Sequence, residues 1–308
     1  MWSHGRAWLA GLGIVTAVLL TSACRATPAA VTDQAGTAAP AASAAAAASA
    51  APPDGPVVAL GDSYTAGALL PIDTNAEPLG CLRSTAAYPV LVAHALGAPL
   101  TDVACASAGV KNMGTAQQTY LGTNPPQLSA LAPDDRMVLL TLSGDDMGFM
   151  NVLNECVKLS FTDPWGSPCA AHYGSQLGAE VGSEGPKIAQ VLTAIATLAP
   201  RARIVVVGYP DMFPQSGGCW PAVPITSGDV AYLRGVEEQL NAMLAADAQA
   251  AGATFVDTYT PTIGHDFCAS ESVRDVEGLL PGSLALPFHP NKRGQAAMAA
   301  AVLKAVGS

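Results

Sequence analysis

The sequence predicts an α/β fold: a three-layer α/β/α sandwich with a five-stranded parallel sheet. Short, continuously apolar segments alternate with longer segments whose apolar residues recur at helical intervals. Continuous apolar strands are typical of parallel sheets that helices cover on both faces. Hydrophobic residues make up 50% of the 308 residues and charged residues only 12%, a balance that excludes a disordered chain.

The alternating pattern occupies residues 57–308, which we interpret as one domain. The predicted strands are Val57–Leu60, Leu100–Cys105, Arg136–Ser143, Arg203–Gly208 and Thr254–Asp257. The predicted helices are Ala86–Leu96, Ile188–Leu198, Val230–Ala251 and Lys292–Val306. Parallel sheets bind their ligands beyond the carboxyl ends of their strands. A functional site is therefore expected just after the strands.

The N-terminal residues have a different composition. The apolar segment Leu9–Leu20 is too short to span a bilayer but suits a signal peptide, predicted over residues 1–23. Small residues precede Cys24 and resemble a bacterial lipobox, in which Cys24 would carry the lipid anchor. Cleavage after Ala23 followed by free secretion is the alternative.

Residues 24–56 are rich in alanine and proline and have little to bury, which predicts a disordered linker. A lipidated Cys24 would tether the domain through this linker to the outer face of the cell membrane. The net charge of −10 disfavours attraction to nucleic acid, and no such partner is expected. The domain is expected to be a monomer.

Six cysteines follow Cys24, and an even number in an exported chain indicates three disulfides. No C-x-x-C spacing and no nearby histidine completes a zinc pattern among them, so no metal site is predicted. The six are Cys81, Cys105, Cys156, Cys169, Cys219 and Cys268.

A candidate nucleophile, Ser63, follows the first predicted strand in Gly61-Asp62-Ser63. A serine on a strand-to-helix turn exposes its hydroxyl and leaves its backbone N–H free to stabilise an oxyanion. The alternative interpretation is a helix cap formed by Asp62 or Ser63. Ser107, which has part of the nucleophile-elbow spacing, is a rival.

A serine hydroxyl needs a neighbouring base, and histidine is the usual one. His289 lies just before the last predicted helix, in Phe288-His289-Pro290, and is the candidate base. His265, followed by Asp266, is a competitor. The alternative interpretation is that His289, beside a helix start, is an ordinary surface residue.

Together, Gly61-Asp62-Ser63 and His289-Pro290-Asn291 resemble the SGNH or GDSL hydrolases, over residues 57–308. Other matching segments are Ala87-Tyr88-Pro89, Asp102-Val103-Ala104-Cys105, Gly144-Asp145-Asp146-Met147-Gly148-Phe149, Gly264-His265-Asp266 and Gly294-Gln295. They are similar to the actinobacterial secreted lipases and esterases. The resemblance implies a flavodoxin-like SGNH fold and three sequential disulfides, Cys81–Cys105, Cys156–Cys169 and Cys219–Cys268.

The resemblance also implies an oxyanion hole formed by the N–H groups of Ser63 and Ser107 and by the side chain of Asp145. Ser107 stands at the family's glycine, and a shift of register would give its role to Gly109. Asp145 stands at the family's asparagine, and an ionised carboxylate cannot donate a hydrogen bond. Leu286 replaces the family's aspartate, so the Leu286 backbone carbonyl is expected to orient His289 in a Ser–His dyad.

The sequence thus predicts an exported serine esterase or lipase that hydrolyses a small-molecule or lipid carboxylic ester through an acyl-enzyme, without metal or organic cofactor. The loop aromatics Trp165, Phe213 and Trp220 are expected to line an acyl pocket or to cover a core. One alternative is an O-acetyl-glycan esterase. Another is a weakly active envelope protein that binds lipid or glycan on the same fold.

Overall fold

The computed structural model describes residues 54–307. The predicted signal peptide (residues 1–23), Cys24 and the linker up to residue 53 lie outside the described residues. Within the described range, no helix combines the length and the apolar character needed to cross a membrane.

The described residues form an alternating series of strands and helices. The strands are β1 (Val57–Gly61), β2 (Leu100–Asp102), β3 (Gln117–Thr119), β4 (Gly122–Asn124), β5 (Met137–Thr141), β6 (Arg203–Val207) and β7 (Thr254–Val256). The helices are α1 (Ser63–Ala66), α2 (Tyr88–Leu96), α3 (Lys111–Gly114), α4 (Phe149–Ser160), α5 (Pro168–Tyr173), α6 (Gln176–Leu198), α7 (Ser227–Ala250) and α8 (Lys292–Val306). Single 3₁₀ turns lie at Leu79–Cys81, Gln127–Ala130 and Thr260–Thr262.

The predicted five-stranded parallel sheet is confirmed, with strand order β2-β1-β5-β6-β7. β3 and β4 form a separate antiparallel hairpin. The chain leaves β1 in one direction for β2 and reaches β5 on the other side of β1. The crevice at the carboxyl ends of β1 and β5 is therefore the switch point at which such sheets bind ligands.

Successive strand residues face opposite sides of the sheet, and each side has its own apolar core. Val57 of β1 and Leu139 of β5 pack with α2 and α8. Leu60 and Leu140 pack with α6 and α7 on the other side. Burying a side chain of this size contributes about 1.5–3 kcal/mol. The two cores produce the predicted three layers.

The predicted boundaries differ from the structure mainly in the helices. α6 begins at Gln176, well before the predicted start at Ile188. The sequence pattern misses this first half because Leu177 and Val181 are its only large apolar residues before Pro186, and both are buried. Pro186 lies inside α6 without ending it. Because tertiary packing, mainly against α7, stabilises α6, local propensity alone misplaces the start of the helix.

The three disulfides have the sequential pairing that the family resemblance implies. Cys81 pairs with Cys105, Cys156 with Cys169, and Cys219 with Cys268. The last pair links the connection that follows β6 to the one that follows β7. Two of the loops at the carboxyl edge of the sheet are therefore joined covalently.

Reduction of the disulfides is expected to lower the melting temperature. Each disulfide typically contributes 2–4 kcal/mol, and the loss grows with the length of the closed loop. The Cys219–Cys268 bond spans 49 residues and the Cys156–Cys169 bond 13. Paired Cys→Ser variants measured by calorimetry should lose about 5–15 °C, with the larger loss for Cys219 and Cys268. Unchanged melting after reduction, with free thiols verified by alkylation, would contradict this expectation.

Candidate active site

The turn between β1 and α1 presents Ser63 at the carboxyl edge of the sheet. Gly61 adopts φ +137°, and a Cβ there would collide with the carbonyl of Thr141; only glycine suits this position. Asp62 Oδ1 accepts the N–H of Tyr64 at 2.9 Å and caps α1. The capping interpretation of Asp62 is therefore right, and Ser63 is free for another role.

Ser63 and His289 are brought together from opposite ends of the domain. Ser63 Oγ lies 2.8 Å from His289 Nε2, and both side chains are buried. Burial lowers the pKa of His289 to about 4, although the carbonyl of Pro287 opposes the shift. At neutral pH the imidazole is therefore uncharged and can accept the proton of Ser63.

The carbonyl that orients His289 belongs to Pro287, so the expected role of Leu286 is wrong. His289 Nδ1 lies 2.8 Å from the Pro287 carbonyl, whereas the Leu286 carbonyl accepts the backbone N–H of His289. The intervening Phe288 adopts φ +61°, which folds the imidazole back over Pro287. The hydroxyl of Tyr64 donates to the Phe288 carbonyl at 2.7 Å and holds this turn.

A cleft that is partly open to solvent adjoins Ser63 and His289, and its atom-free space, open solvent included, is about 500 Å³. It is called the cavity below. Its apolar wall comes from α4, α7 and the segment after β6. The apolar lining residues are Phe149, Met150, Met212, Val236 and Leu240. The polar ones are Asp62, Tyr64, Asp145, Tyr209 and Glu237. An apolar cavity beside a serine–histidine pair suits the hydrocarbon part of a substrate.

None of the three loop aromatics predicted to line an acyl pocket borders this cavity. Trp165 is 97% exposed, and Trp220 packs edge-on against Phe161. Phe213 is fully buried and contacts the ring of Phe267. That prediction is wrong, because the apolar wall is formed by residues of α4 and α7 and by Met212. For Phe213 the alternative of a core residue holds.

Asp145 follows β5 and lines the cavity with Ser63 and His289. Its carboxyl makes no hydrogen bond or ion pair with the described residues. Burial raises the pKa of Asp145 to about 6, and the neighbouring carboxyl of Asp146 adds to the shift. The side chain can therefore change between donor and anion within an accessible range of pH.

Ser107 lies on an exposed turn, at φ +63°, where glycine is more usual. It is not among the residues that line the cavity. Its backbone N–H bonds to no described residue, whereas the N–H of Gly109 donates to Asn112 at 3.1 Å. Of these two candidates for the second oxyanion donor, Ser107 is the one whose N–H is available.

Tyr209, which the sequence analysis missed, connects the turns that follow β1 and β5. Its hydroxyl donates to Asp62 Oδ2 at 2.5 Å and accepts the N–H of Gly144 at 2.9 Å. Burial raises the pKa of Asp62, and the carboxyl of Asp145 raises it further. The only sequence signal for Tyr209 is its place just after β6.

Gln127, also missed, holds both backbone polar groups of Gly61. Its Oε1 accepts the Gly61 N–H at 2.7 Å and its Nε2 donates to the Gly61 carbonyl at 2.9 Å. The side chain is fully buried. No signal marks Gln127 in the sequence, because this contact crosses from a 3₁₀ turn to a distant strand end.

His265 is not brought to Ser63. Its Nδ1 lies 2.8 Å from the carbonyl of Val273, and the carboxylate of Asp275 is 3.5 Å away. Asp266 Oδ1 instead accepts the N–H of Cys268. Among the candidate bases, His289 alone contacts the serine.

A flavodoxin-like sandwich with a serine–histidine pair at its switch point is the architecture of a serine hydrolase. Comparison with known families agrees: the profile of the GDSL-like lipase/acylhydrolase family matches residues 59–297. The chain belongs to the GDSL-like lipase/acylhydrolase family. It is a carboxylic ester hydrolase.

Individual relatives are similar over most of their length. Lipase 2 of Streptomyces coelicolor is 38% identical over 256 residues, which covers 81% of this chain and 85% of the lipase. The crystal structure of phospholipase A1 from Streptomyces albidoflavus is 26% identical with a TM-score of 0.69, covering 83% of this chain and 100% of that one. The extracellular lipase of Streptomyces rimosus is 27% identical with a TM-score of 0.67, covering 81% and 99%.

Replacing Gln127 with leucine is expected to loosen the Gly61 turn. The buried Gly61 N–H loses its partner, at a cost of about 1–3 kcal/mol, whereas the Gly61 carbonyl keeps the N–H of Cys105. Urea unfolding should show this loss, and ester hydrolysis should fall about tenfold or more because Ser63 is displaced. The exposed Gln118→Leu change is the control and should have little effect. Wild-type stability and turnover in Gln127→Leu would show that the hydrogen bonds of Gln127 to Gly61 are dispensable.

Proposed function

We propose that the chain is an exported serine esterase or lipase that acts through a Ser63–His289 dyad and an acyl-enzyme. The observation that carries the proposal is the 2.8 Å contact between Ser63 Oγ and the uncharged imidazole of His289. A neutral, oriented histidine is what a serine hydroxyl requires to become nucleophilic at neutral pH.

His289 accepts the proton of Ser63 while the hydroxyl attacks the ester carbonyl. The Pro287 carbonyl accepts the Nδ1–H and stabilises the imidazolium that forms. The N–H of Ser63, which bonds to no described residue, and the N–H of Ser107 donate to the oxyanion. His289 then protonates the leaving alcohol and activates the water that hydrolyses the acyl-enzyme.

The substrate is a small-molecule or lipid ester. The apolar wall of the cavity supports this choice over an O-acetyl glycan, because it suits an acyl chain with more hydrocarbon than the two-carbon acetyl group. Relatives named lipase, esterase and phospholipase A1 also support it.

The proposal includes a domain organisation of signal peptide, linker with Cys24 as lipid anchor, and catalytic domain from residue 57, with the domain acting as a monomer. The lipobox-like residues before Cys24 support the anchor. The extracellular lipase of Streptomyces rimosus supports export of the domain.

Hydrolysis of a short-chain nitrophenyl ester tests the dyad. Ser63→Ala and His289→Ala should each lower kcat by about 10³-fold or more, because the nucleophile or its base is lost. His265→Ala is the matched control and should retain most of the activity, since His265 contacts Val273 and Asp275 instead. Inactivation by His265→Ala with an active His289→Ala would overturn the assignment of the base.

Asp145→Asn tests the third oxyanion donor. The parent needs neutral His289 and protonated Asp145, whose pKa values are about 4 and about 6. Its kcat should therefore peak between these values and decline towards neutral pH as Asp145 ionises. Asparagine always donates, so the variant should be faster by about tenfold or more near pH 8 and about equal near pH 5.

Stopped assays across this pH range give the ratio of the two kcat values. A variant slower than the parent at every pH would mean that Asp145 acts as an anion. The oxyanion role of Asp145 would then be abandoned.

A further inference from the structure

Glu237 is a buried carboxyl in the wall of the cavity. It lies in α7 between Val236 and Leu240, and all three side chains line the space beside Ser63 and His289. Glu237 is only 2% exposed. It lies on the mostly apolar buried face of the helix, where an aliphatic side chain would be cheaper to bury.

One oxygen of the Glu237 carboxyl has a hydrogen-bond partner and the other has none. Glu237 Oε2 accepts the N–H of Met212 at 3.2 Å. Oε1 is buried without a hydrogen-bond partner among the described residues. One turn later Asn241 performs a similar task with both of its polar atoms, which bond the N–H and carbonyl of Tyr209. Holding Met212 therefore explains one oxygen of Glu237 and leaves the other without a partner.

The chemical form of Glu237 follows from its surroundings. No lysine, arginine or histidine in the described part of the chain forms an ion pair with it. Burial raises its pKa well above the usual range, and the carboxyls of Asp211, Glu238 and Asp266 add to the shift. Its surroundings therefore favour the uncharged carboxylic acid, which can donate one hydrogen bond and accept another.

The acyl group is the part of the substrate that suits this cavity. During the reaction the alcohol must leave, while the acyl group stays bonded to Ser63. A mostly apolar cavity next to the nucleophile suits the part that stays. A polar atom of the acyl group would there meet the unpaired oxygen of Glu237.

We propose that Glu237 is a specificity-determining residue that hydrogen-bonds an oxygen atom carried by the acyl group. The enzyme would then favour hydroxyacyl and oxoacyl esters over plain alkyl esters of the same length. This inference rests on the proposed function of Ser63 and His289. A site built to hydrogen-bond a substrate oxygen discriminates strongly against analogues that lack it, because its own polar group is left unpaired.

The test compares kcat/KM for nitrophenyl esters of hydroxybutyric and oxopentanoic acids with those of butyric and pentanoic acids. The parent enzyme should favour at least one oxygenated ester by about tenfold or more. A ratio near one in the parent overturns the inference without any variant. Preference for a trimethylammonium acyl ester over its neutral isostere would also overturn it, because an ionised Glu237 would then be the binding form.

Variants assign the preference to Glu237. Glu237→Gln keeps both the Met212 contact and a donor for the substrate, so its ratio should stay within about threefold of the parent's. Glu237→Leu should bring the ratio close to one while hydrolysis of the alkyl esters continues. Circular dichroism and melting verify that each variant folds. A preference that survives in Glu237→Leu would place the contact elsewhere.

Glu184→Gln is the matched control. Glu184 is also buried with an unpartnered oxygen, but it pairs with Lys187 and does not line the cavity. Its variant should keep the parent's ratio. Ser63→Ala separates the two proposals. If Ser63→Ala remains active, the proposed dyad is wrong. If Ser63→Ala is inactive but the parent shows no acyl preference, the dyad stands and only the role of Glu237 is wrong.

Discussion

The hydrogen bond between Ser63 and His289 joins two segments that lie 226 positions apart in the sequence. Contacts elsewhere in the domain hold these two segments side by side. Gln295 in α8 donates to the Tyr64 carbonyl and accepts the N–H of Tyr88, which fixes α8 against α1 and α2. The side chain of Asn291 caps α8 just after His289. The site therefore depends on backbone groups held by buried amides, which carry no charge and keep their bonds at any pH.

Desolvation, more than ion pairing, determines the charges around the reacting atoms. It raises the pKa values of Asp62, Asp145 and Glu237 and lowers that of His289. In each case burial favours the uncharged form. The apolar faces of α4 and α7 thus contribute to the chemistry as well as to the core, because they exclude the water that would otherwise stabilise charge.

Much of this could be predicted from the sequence. Continuous apolar strands revealed the parallel sheet, and Gly61-Asp62-Ser63 and His289 were recognisable by position. The carbonyl that orients His289 was misassigned because a residue with positive φ, Phe288, reverses the direction of the chain. Gln127 and Tyr209 were missed because their roles come from contacts between distant segments, which no local pattern records. Glu237 was missed because it lies in a helix whose apolar residues recur at helical intervals, a pattern that predicts only burial.

The position of His289 so late in the chain has a consequence for biogenesis. The contact between nucleophile and base is strongly non-local, because the ribosome synthesises Ser63 early and His289 only shortly before the final helix. Such non-local contacts form late in folding, after loop-closure entropy has been overcome. A nascent chain therefore carries the serine before its histidine has been made. The proposed pair can therefore form only after the segment that carries His289 has been synthesised and packed beside Ser63.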